Sequence, residues 1–387
     1  MHPLPYWRLS GYYFFYFAFV GAFSPYFGLY LQSLNFSAWD IGLLMSQMQL
    51  MRLVGPNVWG WLADRGHRRI PIVRLAGAVS LLGFTTFFWL QGLAGMMVAM
   101  TVMAFFWSAA LPLMETLTFD HLRDEKGRYS RIRLWGSIGF ILAVMGTGRL
   151  LDWAPLSSVL WVCWGVLAGI LAVALTVPEV AALKPHEDTP GIGHILRQPR
   201  VRALLAACFA MSAAHGALYV FYSIHLADHG YNKTGVGLLW SLGVVAEIFV
   251  FLFMARLSSR YSLRAILLAS FGAAVVRFLL IGWGVESILL TVLAQLMHGL
   301  TFGSYHAAAI AAVNQWFPGR VQGRGQAMYS SLSFGAGGLL GGLVSGWTWD
   351  RIGAAWTYTL SSAFALAGLL LILVWVRNEQ GVDAGKE

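Results

Sequence analysis

Charge is what this chain lacks most. Of its 387 residues only 11% are Asp, Glu, Lys or Arg, while 58% are hydrophobic. Soluble domains carry about 25% charged and about 45–50% apolar residues. The composition therefore excludes a soluble globular protein, because one core of this length cannot bury many apolar runs of about 20 residues. Cysteine is nearly absent too. Cys163 and Cys208 each lie in an apolar run, and neither a disulfide nor a CxxC site is suggested, so the redox compartment stays open. Neither HExxH nor GxSxG occurs, and no nucleophile, metal set or acid–base pair gathers near a helix end, which argues against a multi-helix membrane enzyme. No metal and no cofactor is expected.

What remains is a chain of long apolar runs. Twelve segments reach the length of about 20 residues that a spanning helix needs: 8–34, 38–63, 70–91, 94–120, 132–151, 156–178, 201–227, 235–256, 264–283, 287–314, 325–348 and 354–376. The expected fold class is an all-α membrane protein of twelve transmembrane helices. The net charge of +9 would point to nucleic acid in a soluble protein. Here its placement points to the bilayer instead, and no nucleic-acid partner is expected. All but five of the 26 Lys and Arg flank one side of this topology. Arg149, Lys233 and Arg351 flank the other, and Arg52 and Arg277 lie inside helices. By the positive-inside rule both termini and the 179–200 loop face the cytoplasm. Residues 1–34 are too long and too aromatic for a signal peptide and read as an uncleaved first helix.

The stretch 231–250, YNKTGVGLLWSLGVVAEIFV, repeats 36–55, FSAWDIGLLMSQMQLMRLVG, at an offset of 195. Gly42 falls on Gly237, Ser46 on Ser241, and Arg52 on Glu247. Two related helices carry opposite charges at one position, which makes Arg52 a candidate gating or interdomain partner of Glu247. The repeat extends to Gly21-Ala22 with Gly216-Ala217, and more weakly to GRLLD at 148–152 with GWTWD at 346–350. The chain therefore divides into a six-helix half at 1–180, a cytoplasmic linker at 181–200, and a second six-helix half at 201–387 ending in a short cytoplasmic tail.

Several residues stand out along this frame. The run Tyr12 to Phe17 is aromatic throughout. It reads either as an interfacial belt or as the wall of a cavity for an apolar or aromatic substrate. Glu115 and Arg133 each lie within or just inside a helix, and the short loop between those helices can bring them together. A charge at the bilayer centre costs about 2.5–3.5 kcal/mol on insertion scales, so pairing or a wet cavity is expected. His215 and His306 read as structural or functional with equal justice. His225 and His229 read as interfacial. His298 and His306 have no metal-site spacing. The glycines of the eleventh helix allow close, sliding contact.

Residues 60–69, GWLADRGHRR, follow the second helix and resemble the loop 2–3 signature of the major facilitator superfamily; 255–260 repeats it in worn form. That makes Asp64 and Arg65 gating candidates, Asp64 through a cytoplasmic Arg or a helix end. The stretches RLWGS at 133–137, LWSLGVVAE at 239–247, Val276-Arg277, and His298 followed by Gly-Leu-Thr-Phe resemble the phenylpropionate permease branch over nearly the whole chain. The chain is also similar, more distantly, to the lactose permease and other sugar or nucleoside proton symporters. The resemblance implies parallel six-helix repeats, each with 3+3 inverted repeats, and a substrate near the midplane. It also implies a binding pair at Glu115 and Arg133, and functional positions at Glu247, Arg277 and His298. Two departures stand against the sugar reading: Thr301 stands where that permease has a proton-carrying glutamate, and Phe140 where it has a sugar-stacking tryptophan.

The reading this favours is a proton symporter for a small organic acid resembling 3-phenylpropionate. Arg133 in the first place, and Arg277 in the second, suit a carboxylate through bidentate hydrogen bonds. Phe140 and the first-helix aromatics cover the ring, and Glu115 and His215 complete the binding set. Glu247 is the first candidate proton carrier, Glu115 the second, with His298 as a relay. The expected setting is a monomer spanning the cell's inner membrane, with substrate, protons and lipid as its partners. Sugar or nucleoside symport is the alternative, and drug export has no positive sign.

Overall fold

The computed structural model describes residues 4–66, 68–123, 125–180 and 191–376. Among them no strand occurs. The long helices are α1 (Tyr6–Ser33), α2 (Ala38–Gly66), α3 (Ile70–Phe88), α4 (Leu93–Leu122), α5 (Tyr129–Leu151), α6 (Ser158–Thr176), α7 (Pro199–Asp228), α8 (Lys233–Arg260), α9 (Leu263–Trp283), α10 (Ile288–Trp316), α11 (Gly319–Ile352) and α12 (Ala354–Trp375). Eleven are long and apolar enough to cross a membrane. The exception, α2, is 29 residues long but carries Asp40, Arg52, Asp64 and Arg65, which dilute its apolar character without shortening it.

Local chemistry sets the helix ends. Proline stands in the first turn of α3 and begins α7, where its missing N–H costs nothing. Ser37 and Asp40 form a reciprocal capping pair at the start of α2. The Glu179 carboxylate accepts the Ile70 N–H at 2.9 Å and caps α3. In both halves an arginine early in the third helix closes the C-terminus of the sixth. Arg74 donates to the carbonyls of Ala174 (3.2 Å) and Leu175 (3.0 Å), and Arg264 to that of Leu373 (2.8 Å). These cations satisfy the last carbonyls and the negative end of the helix dipole.

Three helices are interrupted. α7 breaks at His215, between Ala214 and Gly216. α10 and α11 each contain a π-helical stretch, Gly299–Ser304 and Ser331–Gly337. Such stretches insert a residue into a turn and concentrate at functional sites. α1 and α7 are the most enclosed helices, with 72% and 83% of their apolar windows buried. Elsewhere large apolar side chains such as Leu82, Leu252 and Leu289 face outward, as lipid contact requires.

The contacts within the chain gather it into two compact units. The first comprises Met1–Pro185, Gly216–Ser241 and Gly342–Ala354; the second comprises His186–His215, Leu242–Gly341 and Ala355–Glu387. α7, α8 and α11 each contribute to both. This grouping follows contact density, whereas the division at 181–200 follows the sequence repeat. Residues 181–190 of that linker, and the C-terminal tail from 377, lie outside the described residues.

Candidate functional site

Glu115, Arg133, Phe140 and Arg52 all fall in the first unit. α5 begins at Tyr129, so Tyr129 and Arg133 are one turn apart on the same face, and Phe140 lies two turns beyond Arg133. Arg133 stands within electrostatic reach of Glu115 but is not paired to it. The Tyr129 hydroxyl donates to Glu115 Oε1 at 3.1 Å. The Arg133 guanidinium instead lies over the Phe17 ring, 3.8 Å from its centroid. The Glu115 carboxylate thus takes its hydrogen bond from Tyr129, one turn before Arg133 on α5, and not from Arg133 itself. Arg133 makes no hydrogen bond to another described residue, so its donor fork is uncommitted.

The wall around it is aromatic. Tyr13 meets Tyr129 edge-on at 6.3 Å. Tyr16 stacks flat on Trp107 at 4.5 Å, and Arg52 stands over Trp107 at 5.8 Å. Phe140 is buried. Its backbone touches α1 so closely that a Cβ at Gly21 would come within 2.6 Å of the Phe140 carbonyl. The first-helix aromatics Tyr12, Tyr13 and Tyr16 are thus interior, not an interfacial belt. Of the other gating candidates, Arg65 is exposed and lies over Trp61 at 4.1 Å. The Asp64 side chain lies outside what is described.

Arg277, His215, His298 and Glu247 fall in the second unit. Arg277 is fully buried. Its Nε donates to the Ala294 carbonyl at 2.8 Å, and its Nη1 to the Thr301 hydroxyl at 2.9 Å. Nη1 also lies 3.4 Å from His215 Nε2. His215 Nδ1 is 2.8 Å from the Met211 carbonyl. A carbonyl partner requires the proton on Nδ1, and in that tautomer Nε2 accepts from Arg277. Thr301 belongs to the π-helical stretch of α10, which aims its hydroxyl at the guanidinium. Thr301 is thus a neutral acceptor for the buried cation.

Glu247 Oε2 lies 3.8 Å from His298 Nε2. His298, Phe302 and His306 follow at four-residue intervals and stack face to face, at 5.4 and 5.9 Å. The column ends where His306 Nδ1 meets the Tyr329 hydroxyl at 2.8 Å. Gln295 is buried, and its amide nitrogen has no hydrogen-bond partner among the described residues. Four contributors escaped the sequence reading: Tyr129, Trp107 and Gln295, and Thr301 as a ligand of Arg277. Tyr129 had a usable signal in its four-residue spacing from Arg133, and Gln295 in being a polar residue within LTVLAQLMHGL. Among the described residues no group of His, Cys, Asp or Glu could hold a metal ion.

The MFS_1 like family model matches residues 6–360. A probable 3-phenylpropionic acid transporter of Escherichia coli K12 is 28% identical over 353 residues, which cover 90% of this chain and 92% of that protein. The maltose permease of Geobacillus stearothermophilus is 27% identical over 384 residues, covering 97% and 95%. A crystal structure of the nucleoside transporter NupG superposes with a TM-score of 0.84, at 17% identity, covering 97% of this chain and 99% of that one. That last likeness speaks to the fold alone.

Proposed function

The chain belongs to the MFS_1 like family and is a membrane transporter of the major facilitator superfamily, and from that premise we propose that it takes up a small aromatic carboxylate together with protons. The observation that carries this reading is Arg133. It is a guanidinium laid on the Phe17 ring with its donor fork uncommitted, on the same α5 face as Phe140. A carboxylate accepts both prongs of such a fork at once, and a ring attached to it finds aromatic cover beside it. The carboxylate of 3-phenylpropionate, two methylenes from its ring, fits this order of groups. Arg277 is the secondary anchor, with His215 as its neighbour.

Glu247 takes and releases the proton, and His298, 3.8 Å away, relays it. A carboxyl in an apolar helix favours its neutral form when dry and ionises when wetted. It can therefore load on one side of the membrane and unload on the other. Glu115, bonded to the Tyr129 hydroxyl, holds the position of Arg133 through its charge and is the second candidate carrier. The two halves, 1–180 and 201–387, alternate access in the inner membrane as a monomer, with both termini in the cytoplasm.

A nucleoside or sugar symporter is the second reading. The Glu115–Tyr129 pair favours it, because an acceptor beside a hydroxyl suits a sugar diol. Uptake of labelled 3-phenylpropionate, lactose and a nucleoside into vesicles, with and without an imposed proton gradient, separates the two. The proposal expects gradient-driven accumulation of 3-phenylpropionate alone. Accumulation of the nucleoside or the sugar instead would move the assignment to the second reading.

A further inference from the structure

The weak repeat GRLLD at 148–152 and GWTWD at 346–350 acquires a physical meaning in the first unit. Asp152 follows the last residue of α5. Its Oδ1 accepts the Lys233 N–H at 2.8 Å, and its Oδ2 accepts both the Thr234 N–H, at 3.0 Å, and the Thr234 hydroxyl. Lys233 is the first residue of α8. A carboxylate at the end of one helix therefore caps the start of another that is 81 residues away in sequence. Asp350, in the last turn of α11, does the same to α2. Its Oδ2 accepts the N–H of Ala38 at 3.0 Å, 312 residues away, and Ala38 begins α2.

The two caps match residue for residue. Ala38 and Lys233 are equivalent at the repeat offset of 195. Four residues before each aspartate stands a glycine pressed against the carbonyl of the residue it caps. A Cβ at Gly148 would lie 2.4 Å from the Lys233 carbonyl oxygen, and one at Gly346 would lie 3.0 Å from that of Ala38. The capped helices carry the equivalent glycines Gly237 and Gly42, also too close for a side chain. A Cβ at Gly42 would lie 2.8 Å from the Gly346 Cα. Each contact therefore needs two glycines to bring the backbones together and one carboxylate to take the exposed N–H groups. α8 and α11 continue from these contacts into the second unit. By the topology read from the sequence, both contacts fall on the side flanked only by Arg149, Lys233 and Arg351 among the Lys and Arg, which the positive-inside rule makes extracytoplasmic.

We propose that Asp152 and Asp350 are a repeat-related pair of latches that hold the extracytoplasmic end of the transporter shut, and that both must let go of their helix starts each time that end opens. The inference rests on the alternating-access reading above. It adds two positioning residues that touch neither substrate nor proton. Removing a capping side chain weakens a helix start by an amount that shifts a two-state equilibrium on the order of fivefold. Each latch lost therefore moves the closed–open balance by about that factor, and losing both multiplies the effect.

The test reads the opening directly. Ser157 and His229 are exposed on either side of the Asp152 latch, and both native cysteines are buried. Spin labels on Ser157→Cys and His229→Cys, in the full-length protein in lipid vesicles without substrate, report the distance across the latch. The intact latch gives one short distance. Asp152→Ala is expected to add a longer-distance population about fivefold larger than in the parent, and Asp152→Ala with Asp350→Ala a larger one still. Asp152→Asn keeps one capping oxygen and falls between. Asp350→Ala alone shifts the same distances and serves if Asp152→Ala does not fold. An unchanged distribution in the alanine variants, or an asparagine variant indistinguishable from alanine, overturns the proposal. Because no substrate is present, the expected distances in a protein that fails to accumulate 3-phenylpropionate would sink the substrate assignment and leave the latches standing.

Discussion

The two charged clusters use the same ingredients to opposite ends. Each has an arginine, a glutamate and aromatic rings within an apolar helix bundle. In the first unit the arginine is uncommitted, with Arg133 resting on Phe17, while the glutamate takes its bond from Tyr129. In the second unit the arginine is committed, with Arg277 bonded to Ala294 and Thr301, while the glutamate stands beside a histidine. An uncommitted guanidinium can exchange water for a carboxylate. A guanidinium already held by a carbonyl and a hydroxyl organises its surroundings instead. The proposed mechanism accordingly places the main substrate anchor in the first cluster, with Arg277 secondary to it, and proton handling in the second.

The largest expected effect tests the first half of that assignment. Arg133→Ala should reduce kcat/KM for 3-phenylpropionate uptake by at least about 100-fold, since charge-assisted bidentate bonds to a carboxylate are lost. Arg133→Lys should recover only part, because a lysine lacks the fork. Equal loss from Arg277→Lys would erase the distinction between the clusters. Next, Tyr129→Phe leaves Glu115 without its hydroxyl donor. A hydrogen bond to a charged group is worth about 1.5–3 kcal/mol, so uptake should fall about tenfold or more, with the pH dependence of transport altered.

A smaller effect sharpens the second half. Thr301→Val removes the hydroxyl that accepts from buried Arg277 and should cost about 1–3 kcal/mol, read as a lower melting temperature of the purified protein. Thr301→Ser should restore it. A Thr301→Val protein as stable as the parent would mean that Arg277 is held by other groups. The smallest effect concerns the latch. Burial works against ionisation of Asp152, but the Thr234 hydroxyl and the two backbone N–H groups outweigh it, with Lys233 nearby, and hold the carboxyl below the usual aspartate range. A depressed value means the latch's contribution is fully present above the unfolded aspartate value of about 3.9 and is lost only as pH falls through the lower folded one. Between pH 5 and 8 the label distances across the latch should therefore not change, and any pH dependence of transport in that window belongs elsewhere.

The membrane fold was legible because bilayer helices announce themselves by length and apolarity, and α2 was legible despite its charges because its run over 38–63 still reaches spanning length. Charged residues such as Glu115, Arg133, Arg277 and Glu247 stood out against apolar sequence for the same reason. Their partners did not. Tyr129 and Trp107 are ordinary residues for a membrane helix, and only the rotation of each helix decides which neighbour they meet. Thr301 lies in the π-helical stretch Gly299–Ser304, where a regular 3.6-residue wheel no longer gives the right direction. Asp152 and Asp350 were visible as a repeat, but not as caps. Each N–H they accept belongs to a helix start remote in sequence, and close approach at Gly148 and Gly346 is a tertiary property.

One measurement goes most directly to the central claim that uptake of an organic acid is driven by a proton carried on Glu247. Vesicles bearing the parent protein or Glu247→Gln are given labelled 3-phenylpropionate with an inward proton gradient, and separately with unlabelled substrate inside and no gradient. The account predicts that Glu247→Gln abolishes accumulation under the gradient while exchange continues near the parent rate. Accumulation undiminished in Glu247→Gln would contradict it.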